Sequence, residues 1–428
     1  MNTVMILAGE SSGELYGSLL AKALRRKWPD VHLIGIGGNR MQEAGVELIA
    51  RTSDAFGLIE AVSSIGKIRT ALKKAREALH EFKPSILIPI DYPDFNLKVA
   101  AMAKPLGVKI VYYVSPQVWA WRRGRIKKIA DLVDRMMVIL PFEQKLYEDT
   151  GVESEFVGHP VLEEIDEILR EAASHEVNFF QTINNPPTPP VEKGDKQGFE
   201  KAKSMGMWSL SPEIKTYFKS ALGFNPKRPL LSVLPGSRPS ELNRHLPLIA
   251  EVIRQFRQDP QVPSAIHYQF CIPLAPNTDE EHYRPYLEDL RRQDVVIRRG
   301  ETVRVLAASD LAVVASGTAT LQTALLEVPM VVIYKLSPLT YQLGKRVVKV
   351  RYISLINLLS GKEVVQELLQ KRANPDEIVR ELRKIMSDTQ YREGMIAEYA
   401  MIKRQFSGKN PSERVAEVVM EMARGRSQ

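Results

Sequence analysis

A chain of 428 residues is too long to close around one typical hydrophobic core, so two or three domains are expected. With 44% hydrophobic and 26% charged residues it reads as an ordinary globular protein, and its single cysteine excludes an intrachain disulfide and a cysteine-built zinc site. The net charge of +8 favours an anionic partner (phosphorylated substrate, anionic membrane surface or nucleic acid) without choosing among them.

The first apolar run, Val4–Ala8, is only strand-length, and glycine and acid follow it at once, unlike a signal peptide. No stretch nears the roughly 18 apolar residues of a membrane span, so a cytoplasmic protein is expected. Gly9-Glu10-Ser11-Ser12-Gly13-Glu14 then places small residues at the start of a helix, Leu15–Arg26, where N–H groups can approach a polar ligand. The loop is neither a Walker loop nor a dinucleotide fingerprint, and a tight strand-to-helix turn explains it equally well. A second strand, Val31–Ile36, runs into the weaker Gly35-Ile36-Gly37-Gly38.

Leu58, Ile59, Val62, Ile65, Ile68 and Leu72 recur at spacings of three and four, with Lys67, Arg69, Lys73 and Lys74 alongside. Core packing and a lipid-contacting face both write that pattern. A helix at Lys67–Glu81 follows. Ile86–Ile90 then reads as a buried strand delivering Asp91-Tyr92-Pro93-Asp94-Phe95-Asn96 at its C-terminal end, where open α/β sheets present their chemistry. Asp91, nearest the strand, is the better candidate for proton abstraction and Asp94 for anchoring local N–H groups; either could instead cap the next helix. The strand Lys109–Val114 opens into Ser115-Pro116-Gln117-Val118-Trp119-Ala120-Trp121, too aromatic for a mere connector. Arg122, Arg123, Arg125, Lys127 and Lys128 beyond it suit phosphate or a solvated face. Met136–Leu140 is the next strand.

Periodicity lapses from Ala172 to Pro212, where Pro186-Pro187-Thr188-Pro189-Pro190 precedes a charged stretch; a flexible insertion is expected. Strands resume at Leu230–Leu234, His267–Ile272, Asp294–Ile297, Leu311–Val314 and Met330–Tyr334, and helices close the chain from Pro375. This alternation predicts an α/β fold of two Rossmann-like doubly wound domains facing a cleft. The expected divisions are 1–171, the insertion 172–212, 213–385, and C-terminal helices 386–428 that close on the first domain, exchange between subunits, or do neither. A homodimer stays open.

In the second half, Leu234-Pro235-Gly236-Ser237-Arg238 leads with Glu241 into a helix, and a guanidinium binds phosphate oxygens bidentately. Ser316-Gly317-Thr318-Ala319-Thr320 begins another helix, joining hydroxyls, a glycine and a positive helix end. Each loop alone is common; together they point to a nucleotide diphosphate. No Asp-x-Asp pair and no His-Glu-x-x-His occurs, so no metal and no cofactor are expected. Helix dipoles and arginine would then meet the leaving-group charge of a metal-independent glycosyl transfer.

Gly9–Gly13, Asp91–Asn96, Tyr113–Trp121, Leu140-Pro141-Phe142-Glu143, Gly158-His159-Pro160, Leu234–Arg238, Ser316–Leu321 and Ser354–Gln370 together resemble the lipid-A-disaccharide synthases, glycosyltransferases of the GT-B type. The resemblance covers most of the chain outside the insertion. It implies transfer from UDP-2,3-diacylglucosamine to 2,3-diacylglucosamine 1-phosphate, giving a β-1,6-linked disaccharide 1-phosphate and UDP at the cytoplasmic surface of the inner membrane. It makes Asp91 the general base and places Glu10, Ser12, Gly13, Asp94, Asn96, Ser115, Gln117 and Trp119 around the acceptor. UDP would be held by Gly236, Ser237, Arg238, Ser316, Gly317, Thr318, Ala319, Thr320 and Gln322. The face from Leu58 to Leu72 would contact acyl chains or the inner leaflet.

Two departures stand out. Glu14 occupies a position where the family carries Asp, and Gln322 one where it carries a glutamate for the ribose hydroxyls; the second implies UDP binding weaker by about 1–2 kcal/mol. A weakened paralogue that binds acylated sugar phosphates without turnover is therefore an alternative. Another GT-B transferase of the UDP-GlcNAc type, or an epimerase, is a second, although the Gly-Gly-Thr-Gly-Gly-His and Gly-Thr-Arg-Pro-Glu loops of those relatives are absent. Nucleic-acid binding rests on charge alone and is not expected.

Overall fold

The computed structural model describes residues 3–52, 64–121, 124–183, 210–262, 267–337, 341–342 and 350–425. Leu58, Ile59, Val62, Arg122 and Arg123 lie outside them, as do the side chain of Ile65 and residues 184–209 of the expected insertion. The chain divides into two compact units. Residues through Glu163 and from Lys409 onward form the first, and most of 164–408 forms the second.

The first unit is built on strands β1 (Thr3–Ala8), β2 (His32–Gly37), β3 (Glu47–Arg51), β4 (Ile86–Ile90), β5 (Lys109–Tyr113), β6 (Arg135–Val138) and β7 (Glu153–Phe156), in the order β3-β2-β1-β4-β5-β6-β7. The second holds β8 (Leu230–Leu234), β9 (Gln269–Leu274), β10 (Val295–Arg299), β11 (Leu311–Ala315), β12 (Met330–Tyr334) and β13 (Glu367–Leu369), in the order β10-β9-β8-β11-β12-β13. Every pairing in both sheets is parallel. The central strands are buried along their whole length, which is why they read as unbroken apolar runs. The two parallel sheets with their helices make this the α/β, doubly wound class of fold expected from the sequence.

Each sheet reverses its strand order once, between β1 and β4 in the first unit and between β8 and β11 in the second. At such a switch point neighbouring connections leave in opposite directions and open a crevice at the C-terminal strand ends. The four loops singled out in the sequence follow these four strands: Gly9–Gly13 after β1, Asp91–Asn96 after β4, Pro235–Arg238 after β8 and Ser316–Thr320 after β11.

Ile68 and Leu72, from the face expected to meet lipid, are half-buried and pack against the first unit's core. The helix Thr389–Gln405 belongs to the second unit, where Lys403 Nζ lies 3.0 Å from Glu327. The helix Pro411–Arg424 packs in the first unit on the helix Ser11–Lys27. Lys27 Nζ stands 3.0 Å from Glu413 and 3.1 Å from Glu417, and Arg414 makes a two-pronged bond to Glu155 at 2.7 and 3.0 Å. Among the described residues, no helix is long and apolar enough to cross a membrane.

Candidate active site

Strand β4 ends in a strained corner. Asp91 and Tyr92 adopt φ of 45° and 43°, and Val114 at the matching end of β5 has φ 67°, a left-handed region that non-glycine residues avoid. Such conformations cost of order 1–3 kcal/mol each and persist only where surroundings fix them. Here the Asp91 carbonyl accepts from the Tyr112 hydroxyl and from Asn96 Nδ2, both at 2.7 Å. Asn96 also donates to the Ile90 carbonyl at 3.1 Å and is 1% exposed. The corner thereby holds the half-buried Asp91 at the C-terminal end of β4, in the middle of the sheet.

Gly9 completes the corner, because an added Cβ would lie 2.6 Å from Cβ of Tyr92 and overlap its ring. Burial, with the charges of Glu10 and Asp94 behind it, holds the Tyr92 phenol above its usual range. The helix Ser11–Lys27 starts after Glu10 without a side-chain cap from that residue, and its first turn carries Ser12 and the buried Gly13. Asp94 takes a different course. It is exposed and pairs with Arg125. Glu14 is also spent within the protein: its Oε1 accepts from the Arg40 N–H at 2.9 Å at the start of the helix Asn39–Glu43.

The aromatic loop after β5 is gripped at both ends. Ser115 is 3% exposed, and its hydroxyl shares a 2.7 Å bond with Tyr147 and donates to the Pro116 carbonyl at 3.1 Å. Its oxygen is thus committed to the fold. Gln117 is exposed. Trp119 is half-buried, donates from Nε1 to Glu143 Oε1 at 3.1 Å, and meets Phe142 edge-on with ring centroids 5.2 Å apart. Burial pushes the Glu143 carboxyl up to about 8, against the pull of the Trp119, Leu140 and Ile139 N–H groups and with the Asp91 charge adding to the rise. Tyr112, Glu143 and Tyr147 carried no assigned role in the sequence. Glu143 alone had a signal, its place in the Leu140–Glu143 block.

In the second unit the two loops differ. The N–H groups of Ser237 and Arg238 donate to Glu241 Oε2 at 3.1 and 3.2 Å, so the helix Pro239–Gln258 is capped by its own glutamate. Gly236 has φ 99°, and an added Cβ there would overlap that carboxylate. What this loop offers an anion is the half-exposed Arg238 guanidinium, 3.8 Å from Glu241. After β11, the Ser316 and Thr320 hydroxyls donate to the carbonyls of Ile353 and Gly317 at 3.0 and 2.8 Å. Gly317, at φ 145°, borders open space, and the helix Thr318–Leu325 that follows it begins without a side-chain cap. Gln322 is 9% exposed and gives its amide N–H to Glu164 Oε2 at 3.1 Å.

His245, unremarked in the sequence, ties the two halves of this region together. Its Nδ1 lies 2.7 Å from the Pro235 carbonyl, and its Nε2 accepts from the Lys335 N–H at 3.1 Å. Only the neutral ring with its proton on Nδ1 can make both bonds. Burial depresses the His245 pKa, with the Lys335 and Arg244 charges acting in the same sense.

The model of the family described as lipid-A-disaccharide synthetase matches residues 4–182 and 209–419. The chain is 37% identical over 423 residues to the lipid-A-disaccharide synthase of Anaeromyxobacter dehalogenans, covering 98% of this chain and 97% of that one. It is 38% identical over 421 residues to that of Geobacter sulfurreducens, with the same coverage. Among solved structures it resembles the UDP-GlcNAc 2-epimerase of Neisseria meningitidis bound to UDP-GlcNAc, at TM-score 0.61 and 11% identity over 98% of this chain and 99% of that one. The Methanocaldococcus jannaschii UDP-GlcNAc 2-epimerase gives TM-score 0.60 at 12% identity over 98% and 100% of the two chains. At such identities the structural likeness speaks for the fold, and the sequence match speaks for the family. This chain belongs to the lipid-A-disaccharide synthase family of glycosyltransferases.

Proposed function

We propose that this enzyme transfers 2,3-diacylglucosamine from UDP to the 6-hydroxyl of 2,3-diacylglucosamine 1-phosphate. The observation that carries the reading is Asp91, fixed in a strained corner at the switch point of the first unit, one strand away from an aromatic loop, in a chain of this family. Asp91 would accept the hydroxyl proton as the oxygen attacks the anomeric carbon, while the bond to the UDP oxygen breaks on the opposite face. Direct displacement inverts that carbon, giving the β-1,6 linkage. Negative charge gathering on the diphosphate would be met by Arg238 and by the uncapped N–H groups of Thr318 and Ala319, without a metal ion.

On this reading the first unit is the acceptor domain and the second the UDP-sugar domain. Glu10, Ser12, Gly13, Gln117 and Trp119 would address the acceptor, while Asn96 and Ser115 support the site from beneath. The exposed Lys67, Arg69, Lys73 and Lys74 on the helix Ser64–Glu81, which follow Leu58, Ile59, Val62 and Ile65 in the sequence, suit the anionic cytoplasmic face of the inner membrane. A second reading, binding without turnover, is motivated by Gln322.

The test is mass spectrometry of products from both acylated substrates in detergent micelles, with Asp91→Asn beside the wild type. Tetraacyl-disaccharide 1-phosphate from the wild type, with turnover reduced about a hundredfold or more in the variant and UDP binding intact, is expected. Equal turnover would remove Asp91 from the mechanism. No product from the wild type, with UDP-sugar still bound, would favour the binding-only reading.

A further inference from the structure

The turn Pro141–Leu146 and the Tyr147 that ends it hold the aromatic loop at two points, through Tyr147 to Ser115 and through Glu143 to Trp119. Glu143 is the unusual member. It is a carboxyl group 1% exposed, and no lysine, arginine or histidine pairs with it among the described residues. Both of its oxygens are occupied by neutral N–H donors, Oε1 by the Trp119 indole at 3.1 Å and Oε2 by the Leu140 amide at 3.1 Å. A helical turn does not need a buried acid to close on itself, and an apolar residue there would avoid the cost of desolvation. What the acid adds is directional: it accepts from one indole N–H, and Phe142 blocks that ring from the side.

We propose that Glu143 is a positioning residue of the transfer site, fixing the Trp119 indole and through it the loop on which the acceptor sugar rests. The proposal builds on the function given above, since it assigns Trp119 to the acceptor. The titratable groups that act on Glu143 are Asp91, at the end of β4, and Tyr147, at the end of its own turn. Ionisation of Glu143 therefore changes both the bond to Trp119 and the electrostatic surroundings of Asp91.

The experiment uses the full chain with Glu143→Gln, Glu143→Ala and Trp119→Phe, the last keeping a ring but removing the donor. Loss of one such bond should raise the acceptor KM about fivefold to tenfold in Glu143→Ala and Trp119→Phe, with little change in the UDP-sugar KM. Glu143→Gln, whose amide oxygen can still accept from Nε1, should recover most of the difference. A second readout needs no turnover. Tryptophan emission, taken as the difference from Trp119→Phe, should pass through a transition near pH 8 that Glu143→Gln abolishes.

Acceptor KM unchanged in a folded Glu143→Ala, or donor and acceptor KM rising together, would overturn the proposal. A Trp119 signal with no pH transition in the wild type would do the same. If the wild type fails to turn over but the emission transition is present and Glu143-dependent, the reading of the reaction fails while the Glu143–Trp119 coupling stands.

Discussion

Gly236 is constrained twice, by a φ of 99° and by the Glu241 carboxylate packed where a side chain would go. Gly236→Ala should cost about 2 kcal/mol or more, as the backbone strains and Glu241 is pushed off the N–H groups of Ser237 and Arg238. An unchanged melting temperature would show that the loop relaxes without penalty. Glu143 governs stability through pH. Its folded pKa stands above the unfolded value, so its contribution is whole below pH 4.5 and is lost as pH rises through about 8. Melting wild type and Glu143→Gln at about pH 6 and about pH 9 should show the larger loss in the wild type. Gln322 reverses an expectation. The sequence alone suggests that Gln322→Glu tightens UDP binding, but the new carboxylate would stand against Glu164, at a position where the amide now donates across 3.1 Å. Like charges at that range disfavour each other. The single variant should bind UDP no better, and adding Glu164→Gln should recover the gain; calorimetric tightening by Gln322→Glu alone would refute this.

At the scale of elements, the His245 bonds make the loop after β8 and the end of β12 one mechanical piece. His245→Ala strands the Pro235 carbonyl and the Lys335 N–H, and should raise the UDP-sugar KM while sparing the acceptor KM; steady-state kinetics with each substrate varied separately decides it. The strands that build these sites were legible because burial on both faces writes continuous apolar runs, as in Ile86–Ile90 and Leu311–Ala315. Of the four edge strands among the described residues, three were not; only β10 was, as Asp294–Ile297. Glu47–Arg51 and Glu153–Phe156 carry charged residues at exposed or half-buried positions, and Glu367–Leu369 is only three residues long. Asp91 could be placed because it ends a strand, whereas its anchoring depends on Tyr112, 21 positions away and brought near only by strand pairing. The capping by Glu241 had a local signature, a glutamate three residues after Arg238. Arginine beside a small-residue turn drew the reading toward phosphate instead.

At the scale of the whole molecule, the family pattern passes over residues 183–208, which separate its two matched segments. Replacing 184–209 by a short glycine-serine linker should leave melting temperature and turnover near wild-type values. A large loss in either would give that stretch a role that the family pattern does not contain. The helix Pro411–Arg424, docked on Ser11–Lys27 by the ion pairs of Lys27 with Glu413 and Glu417, bears on how the protein is made. During synthesis the first unit emerges without this piece and must wait while residues 164–408 are translated, on the order of ten to fifty seconds at typical bacterial rates. For that interval the flank of Ser11–Lys27 is bare, and a nascent chain stalled before Lys409 exposes a surface that the finished protein never shows.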